Sequence, residues 1–240
     1  MSQRTALVTG ATSGIGRHAA AHFAAAGWTV WVTGRDAERT RRTAAEIGGR
    51  PLQLDVTDAD SVAHAAATVD ELDALVNNAG IQPDFGVPLL EADAALLRTA
   101  YETNVFGVVT VTNAMIPTLG RSPAPRIVNI SSGTASFAWS TGENPQFDWE
   151  ATAGNGGRFT VYRSSKAALN ALTLYYAQVL AADRFKVNAL APGARATGLN
   201  DSGRGGDPAE AAPQIVELAQ LPDDGPTGRL FSYDGTVAPW

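Results

Sequence analysis

With 240 residues, 45% of them hydrophobic, and no cysteine, the chain is long enough to bury one large core and cannot rely on disulfides or thiolate metal sites. A net charge of -6 and the lack of a basic stripe beyond Arg39, Arg41 and Arg42 argue against a nucleic-acid partner. No apolar run reaches membrane-spanning length and no signal peptide is evident, so the expectation is a single cytoplasmic domain that does not bind a membrane.

From the start, Arg4 to Thr9 reads as a short buried strand. It is followed by Gly10-Ala11-Thr12-Ser13-Gly14-Ile15-Gly16 and an alanine-rich helical stretch to Ala26. Strand, glycine turn and helix together form a phosphate cradle. The glycines let the backbone approach a pyrophosphate, and the free N-H groups and dipole of the helix start favour an anion. The Gly10, Gly14, Gly16 spacing is not the commoner G-x-G-x-x-G pattern, and a plain turn is the competing use.

Further strands are predicted at Thr29 to Thr33, Pro51 to Leu54, Ala74 to Asn77, Arg126 to Ser131, Lys186 to Leu190 and Leu230 to Tyr233. Helices are predicted at Asp36 to Ile47, Asp58 to Val69, Glu91 to Ile116, Tyr162 to Ala181 and Pro208 to Leu221. Strands separated by helices mean a parallel sheet covered on both faces. With right-handed crossovers, this gives a single α/β domain over 1-240, a Rossmann-type doubly wound sheet of about seven strands. Such sheets bind ligands at the carboxyl ends of their strands, and Gly10, Asn77, Ser132 and Pro192 all follow strands. His18, His22 and His64 have no carboxylate or cysteine partners at metal-ligand spacing, so no metal is expected.

The chain contains 18 basic residues, but only Lys166 and Lys186 are lysines. Lys166 lies four positions after Tyr162, a spacing that puts both side chains on one face of a helix. A cation about 4 to 5 Å from a phenol, at an effective dielectric of about 20, is worth about 3 to 4 kcal/mol, or roughly two to three pKa units. The pair is therefore expected to be an acidified tyrosine in a sheltered cleft, with a solvated helix pair as the bland alternative.

Seven motifs stand in order along the chain: Thr9-Gly10-x-x-x-Gly14-Ile15-Gly16, Leu54-Asp55-Val56, Asn77-Asn78-Ala79-Gly80, Asn104, Ile130-Ser131-Ser132, Tyr162-x-x-x-Lys166 and Pro192-Gly193-x-x-x-Thr197. In this order they resemble the short-chain dehydrogenase/reductase family over nearly the whole length. The Thr103-Asn104-Val105-Phe106-Gly107 segment and the tail ending in Pro239-Trp240 resemble its carbonyl reductases.

The resemblance implies NADPH-dependent, reversible reduction of a ketone or aldehyde to an alcohol. Tyr162 would be the general acid/base, Ser132 would hold the carbonyl oxygen, Lys166 would lower the phenol pKa and bind the nicotinamide ribose, and Asn104 would link the lysine to a water, with a helix-kink residue as the other use for this asparagine. Of the adjacent serines, the family pattern selects Ser132 over Ser131, and turn capping is the other use for either.

The resemblance also assigns the dinucleotide to Gly10, Thr12, Ser13, Gly14, Ile15, Gly16, Asp55, Val56, Asn78, Ala79, Gly80, Tyr162, Lys166, Pro192, Gly193 and Thr197. Asp55 would contact the adenine, and Thr197 the carboxamide. The second predicted strand ends in Gly34-Arg35, where an acidic residue would select NAD. Arg35 favours NADP(H), with NAD(H) as the alternative, although Ser13 stands where many NADP-dependent relatives carry a second basic residue.

Ser132 and Tyr162 are 30 positions apart, which implies an insertion around 133-161. It holds Trp139, Glu143, Phe147, Asp148, Trp149 and Glu150 and resembles that of monomeric carbonyl reductases. The insertion could wall the pocket and cover the helix face that relatives use to assemble, which leans toward a monomer over a homo-oligomer. The expected partner is a small-molecule carbonyl or alcohol substrate. A non-catalytic NADP-binding sensor and a sugar-nucleotide epimerase or dehydratase are the rival functions.

Overall fold

The computed structural model describes residues 3-147, 159-199 and 205-240. Its centre is one eight-stranded sheet in the order β3-β2-β1-β4-β5-β6-β7-β8. The strands are β1 (Thr5–Val8), β2 (Thr29–Gly34), β3 (Arg50–Gln53), β4 (Ala74–Asn77), β5 (Arg126–Ile130), β6 (Lys186–Ala191), β7 (Leu230–Ser232) and β8 (Val237–Ala238). Every pairing is parallel except that of β7 with β8. The chain reverses its direction of winding between β1 and β4, so the strand ends there splay their loops apart and open a crevice.

Both faces of the sheet are covered, which explains why β1, β4 and β5 are buried along their full length instead of alternating. Successive residues feed two different cores. Ala6 and Val8 join Val30, Val76 and Val128 under the helices α1 (Gly14–Ala25), α2 (Ala37–Ile47) and α8 (Ala212–Leu218). Leu7 joins Leu75, Ile127 and Val187 under α3 (Ala59–Thr68), α5 (Gly107–Leu119) and α7 (Thr160–Val179). Each fully buried Leu, Ile or Phe in these layers contributes about 2 kcal/mol of transfer free energy.

The structure corrects the expected elements in three places. The single helix expected from Glu91 to Ile116 is broken: a short turn of helix at Leu89–Glu91 gives way to α4 (Ala94–Tyr101), which restarts on its own aspartate cap, Asp93. A widened π-type turn at Glu102–Phe106 then precedes α5. At its end, Gly107 lies so close to the loop after β3 that an added Cβ would come 3.0 Å from the Val56 carbonyl oxygen. The Pro208 to Leu221 helix likewise opens as a tight turn at Pro208–Ala211 before α8 begins. The sheet gains an eighth strand, because Gly235 at φ 84 lets the chain reverse and lay Val237 and Ala238 antiparallel along β7.

The described part of the insertion forms α6 (Phe137–Thr141) and a loop to Phe147. Trp139 packs with Trp240 on Ala189, Ala191, Leu230 and Ala238, and Ala138 N donates to Trp240 O at 3.1 Å. This part therefore sits on the β6-β8 edge, while Leu90, Leu97 and Phe106 stay exposed around α4 and α5. Asp148, Trp149 and Glu150 lie outside the described residues.

Candidate active site

The loops after β1, β4, β5 and β6 meet at one edge of the sheet. In the first, Gly10 and Gly14 have φ of 64 and 53, a region strained for any side chain. Space is short as well. A Cβ on Gly10 would lie 3.0 Å from Ala79 Cα, and one on Gly16 would lie 2.6 Å from the Gly10 carbonyl oxygen.

The Thr9 hydroxyl accepts from the N-H groups of Asn78 and Ala79, both at 2.9 Å. The Asn78 amide donates back to Thr9 O at 2.9 Å and Gly10 O at 3.2 Å. The glycine turn and the β4 loop are thus tied into one wall. Thr197 joins them from the far side, its Cγ2 3.2 Å from where a Cβ on Gly14 would be, in the same loop as Pro192 and Gly193.

Helix α1 starts at Ser13 with no side-chain cap bond, so its first-turn N-H groups, which have no partner within the helix, are left for an anion. A turn that any Cβ would fill, opening onto an uncapped helix, fits the pyrophosphate of a dinucleotide. Thr12 leads from the turn to the end of β2, its Cγ2 2.7 Å from a Cβ built on Gly34. Ile15 and Val56 pack their side chains into the two cores.

Arg35 follows β2 and is exposed, and among the described residues its guanidinium enters no ion pair. Neighbouring Asp36 is committed to capping α2. Asp55 accepts from Thr57 N at 2.9 Å and from Thr57 Oγ1 at 2.8 Å, whereas the cap of α3 is Asp58.

At the end of β5 the two serines part. Buried Ser131 donates to Asn170 Oδ1 on α7 at 2.5 Å. Ser132 accepts from Thr134 N at 3.2 Å, which caps the short turn that follows, and its hydroxyl is close enough to Tyr162 to lower the phenol's pKa. Buried Lys166 donates to Ile130 O at 2.8 Å and lies 5.8 Å from the centre of the Tyr162 ring. Gly80 leaves room for that amine, since a Cβ there would lie 3.3 Å from Lys166 Nζ and equally close to Asn104 Oδ1.

Asn104 is fully buried in the widened turn. Its Oδ1 accepts from Ile81 N, and its Nδ2 donates to Ile81 O and Ser165 Oγ, all at 2.9 Å. Ser165 Oγ in turn donates to Tyr162 O at 2.7 Å. The asparagine side chain therefore braces the β4 loop against the first turn of α7.

One electrostatic expectation is overturned. Lys166 does not acidify Tyr162 through the protein's own groups. Burial dominates and pushes the phenol up to about 12, against a lowering by the nearby Ser132 hydroxyl and a further rise from the Asp84 charge. The same burial pushes the lysine down to about 8, so the amine sheds its proton before the phenol would ionise.

Three contributors escaped the sequence reading. The Thr9 hydroxyl fastens the β4 loop. Asp84 accepts from the N-H groups that begin α7. Buried Arg195 donates to Pro192 O at 2.6 Å, pairs with Glu210 and stacks 4.3 Å over Tyr233, holding the loop that carries Thr197. An arginine two residues after Pro192-Gly193 was a visible signal. The other two become legible only once distant loops are brought together.

Residues 4-143 match the family model described as short chain dehydrogenase. The chain belongs to the short-chain dehydrogenase/reductase family. It is 31% identical to (-)-isopiperitenone reductase of Mentha piperita, over 98% of this chain and 98% of that protein. Among solved structures, a short chain dehydrogenase of Shigella flexneri complexed with NADP aligns with TM-score 0.81 and 26% identity, over 98% of each chain. A 3-ketoacyl-(acyl-carrier-protein) reductase of Brucella melitensis complexed with NADH aligns with TM-score 0.80 and 25% identity, over 95% of this chain and 96% of that one. As a short-chain dehydrogenase/reductase, the protein is an NAD(P)-dependent oxidoreductase of carbonyl and alcohol groups. Among the described residues no helix is long and apolar enough to cross a membrane.

Proposed function

We propose that this short-chain dehydrogenase/reductase is a carbonyl reductase that prefers NADPH, with Tyr162 as the acid, Ser132 as the carbonyl ligand and Lys166 and Asn104 in support. The observation that carries this reading is the cluster in which half-buried Ser132 and Tyr162 lie close enough to interact while buried Lys166 and Asn104 close in from behind. A bound nicotinamide supplies the hydride and, once oxidised, a positive charge beside the phenol.

The chain's own groups do the rest. Tyr162, pushed up to about 12, holds its proton throughout the neutral range and can give it to a carbonyl oxygen as negative charge develops there. Ser132 Oγ, close to the phenol, can hydrogen-bond the same oxygen and orient it. Lys166, fixed to Ile130 O, reaches the floor beside Gly80, where its remaining donors can take ribose hydroxyls. Reduction at neutral pH suits a phenol that stays protonated. Alcohol oxidation needs the phenolate, so its rate should climb as pH rises toward the phenol's own range.

Gly10, Thr12, Ser13, Gly14, Ile15 and Gly16 would hold the pyrophosphate. Asp55, Val56, Asn78, Ala79 and Gly80 would line the adenosine side, and Pro192, Gly193 and Thr197 the nicotinamide side. The exposed, unpaired Arg35 supports the NADPH preference, because a planar guanidinium matches a 2'-phosphate.

A carbonyl panel followed with NADPH and with NADH tests the reading. Tyr162→Phe should lower turnover by about two to four orders of magnitude, and turnover that survives would refute the acid assignment. Arg35→Ala should raise the NADPH KM about tenfold or more and leave that for NADH nearly unchanged; equal changes would refute the cofactor preference.

A further inference from the structure

Helix α7 carries Tyr162 and Lys166, yet it begins without a cap of its own. It enters from Phe159, at φ 66, whose side chain gives the first N-H groups no acceptor. Instead Oδ2 of Asp84, 77 positions earlier, accepts from Val161 N at 2.9 Å, and it also accepts from Tyr162 N at 3.2 Å. Asp84 is 1% exposed, and among the described residues its other oxygen is buried with no hydrogen-bond partner. A neutral Asn or Ser could cap these N-H groups, so the cap alone does not require a buried charge with one oxygen unmatched.

The loop holding Asp84 is fixed at both ends. Asn104 grips Ile81 through both of that residue's backbone groups, and Phe85 packs 5.6 Å from the Phe159 ring at the helix entrance. The carboxylate therefore cannot drift from the helix start.

We propose that Asp84 is a positioning residue for Tyr162: its carboxylate fixes the first turn of α7, and with it the phenol, and sets a negative charge beside that turn. The inference rests on the acid role given to Tyr162 above. Among the described residues, the charged groups that bear on the phenol are Lys166 on its own helix and Asp84 from the β4 loop. The β5 loop contributes the Ser132 hydroxyl, itself bonded to Thr134, and the widened turn reaches the helix through the bond from Asn104 to Ser165. Arg163 turns its guanidinium to Thr134 O at 3.2 Å and Ser140 Oγ at 3.3 Å. The Asp84 charge also raises the phenol, after burial.

Asp84→Asn keeps an oxygen that can accept both N-H groups and removes the charge; Asp84→Ala removes both. Tyrosinate absorbance between about pH 9 and 12.5, read as the difference between each protein and the same protein carrying Tyr162→Phe, isolates this one phenol. In Asp84→Asn its ionisation should move about one pH unit lower, with Tm within about 3 °C of the wild type. Asp84→Ala should lose kcat about tenfold or more with little change in KM. An unchanged ionisation midpoint in Asp84→Asn, or wild-type kcat in Asp84→Ala, would overturn the inference. Turnover retained in Tyr162→Phe would overturn the acid role alone, because the absorbance shift does not depend on activity.

Discussion

Helices α2, α3 and α4 each begin on an aspartate, Asp36, Asp58 and Asp93, whose carboxylate accepts N-H groups of the helix's own first turn. Helices α1 and α7 begin otherwise. Ser13 makes no side-chain cap at α1, and α7 borrows Asp84 from the loop after β4. A helix that caps itself has satisfied its orphan donors and offers nothing to a ligand, whereas an uncapped start is a demand that something else must meet. At α1 that demand suits a pyrophosphate. At α7 it ties the tyrosine helix to the wall of the cofactor cleft, so the chain finishes its remote helices locally and leaves the two site helices to be completed from outside.

The largest effect that would sharpen this contrast is expected from the turn feeding α1. A Cβ introduced by Gly16→Ala would lie 2.3 Å from Asn78 Nδ2 and 2.6 Å from Gly10 O. The amide can swing away, but the carbonyl belongs to the turn itself. NADPH binding, followed by fluorescence, should weaken at least tenfold, and stability should fall by about 1 to 3 kcal/mol. Gly27→Ala is the control: its φ of 83 strains any side chain by about 1 kcal/mol, yet nothing lies within 4 Å, so NADPH binding should not change. Equal losses of binding in the two variants would break the claim that the α1 turn is built for a ligand.

Burial at the other site helix predicts a gain of stability where function is lost. Lys166, pushed down from 10.5 to about 8, is a charge the fold tolerates at a cost of roughly 3 kcal/mol near neutral pH. The sign follows from proton counting. Between about pH 8 and 10.5 the unfolded chain binds the lysine's proton and the folded chain does not, so this residue makes stability rise with pH across that window. Tyr162 acts oppositely above pH 10, where the folded chain keeps a proton that the unfolded chain has lost. Lys166→Met should therefore be about 2 kcal/mol more stable than wild type at pH 7 by denaturant unfolding, after discounting the lost bond to Ile130 O, and nearly equal to it at about pH 10. A destabilised variant at pH 7 would mean that the lysine holds the site together and does not strain it.

The parts of the molecule legible in the sequence are those whose physics is local. Apolar runs of four to six residues set the first seven strands and most of their boundaries. Tyr162 and Lys166 share a face because four residues on one helix require it, and Ser131 and Ser132 part because a strand alternates. The misses are non-local. The widened turn at Glu102–Phe106 has ordinary helix formers around it and exists because Asn104 bonds Ile81. Strand β8 is two residues long and forms only against β7. Asp84 sits in an unremarkable turn until α7 arrives beside it, and the phenol's shift depends on a burial that spacing alone does not set.

The smallest expected effect tests the remote side of the comparison. Asp58 caps α3 by accepting from Asp60 N at 2.9 Å and Ser61 N at 3.3 Å, well away from the tyrosine helix. Asp58→Ala leaves those donors to water and should cost about 1 kcal/mol, a Tm decrease of about 3 °C. Because α3 starts only four residues after Asp55, a loosened helix could in principle reach the cofactor through the Asp55-Thr57 contacts. Those contacts, and the bond from Asp55 N to Ser61 Oγ at 3.0 Å, do not use the Asp58 carboxylate. KM for NADPH should therefore stay within about twofold of wild type while Tm falls, the opposite of the pattern expected for Asp84→Ala, where kcat carries the loss. If Asp58→Ala instead weakened NADPH binding in step with its Tm, self-capped and borrowed helix starts would not be separable by function, and the division of labour between them would fail.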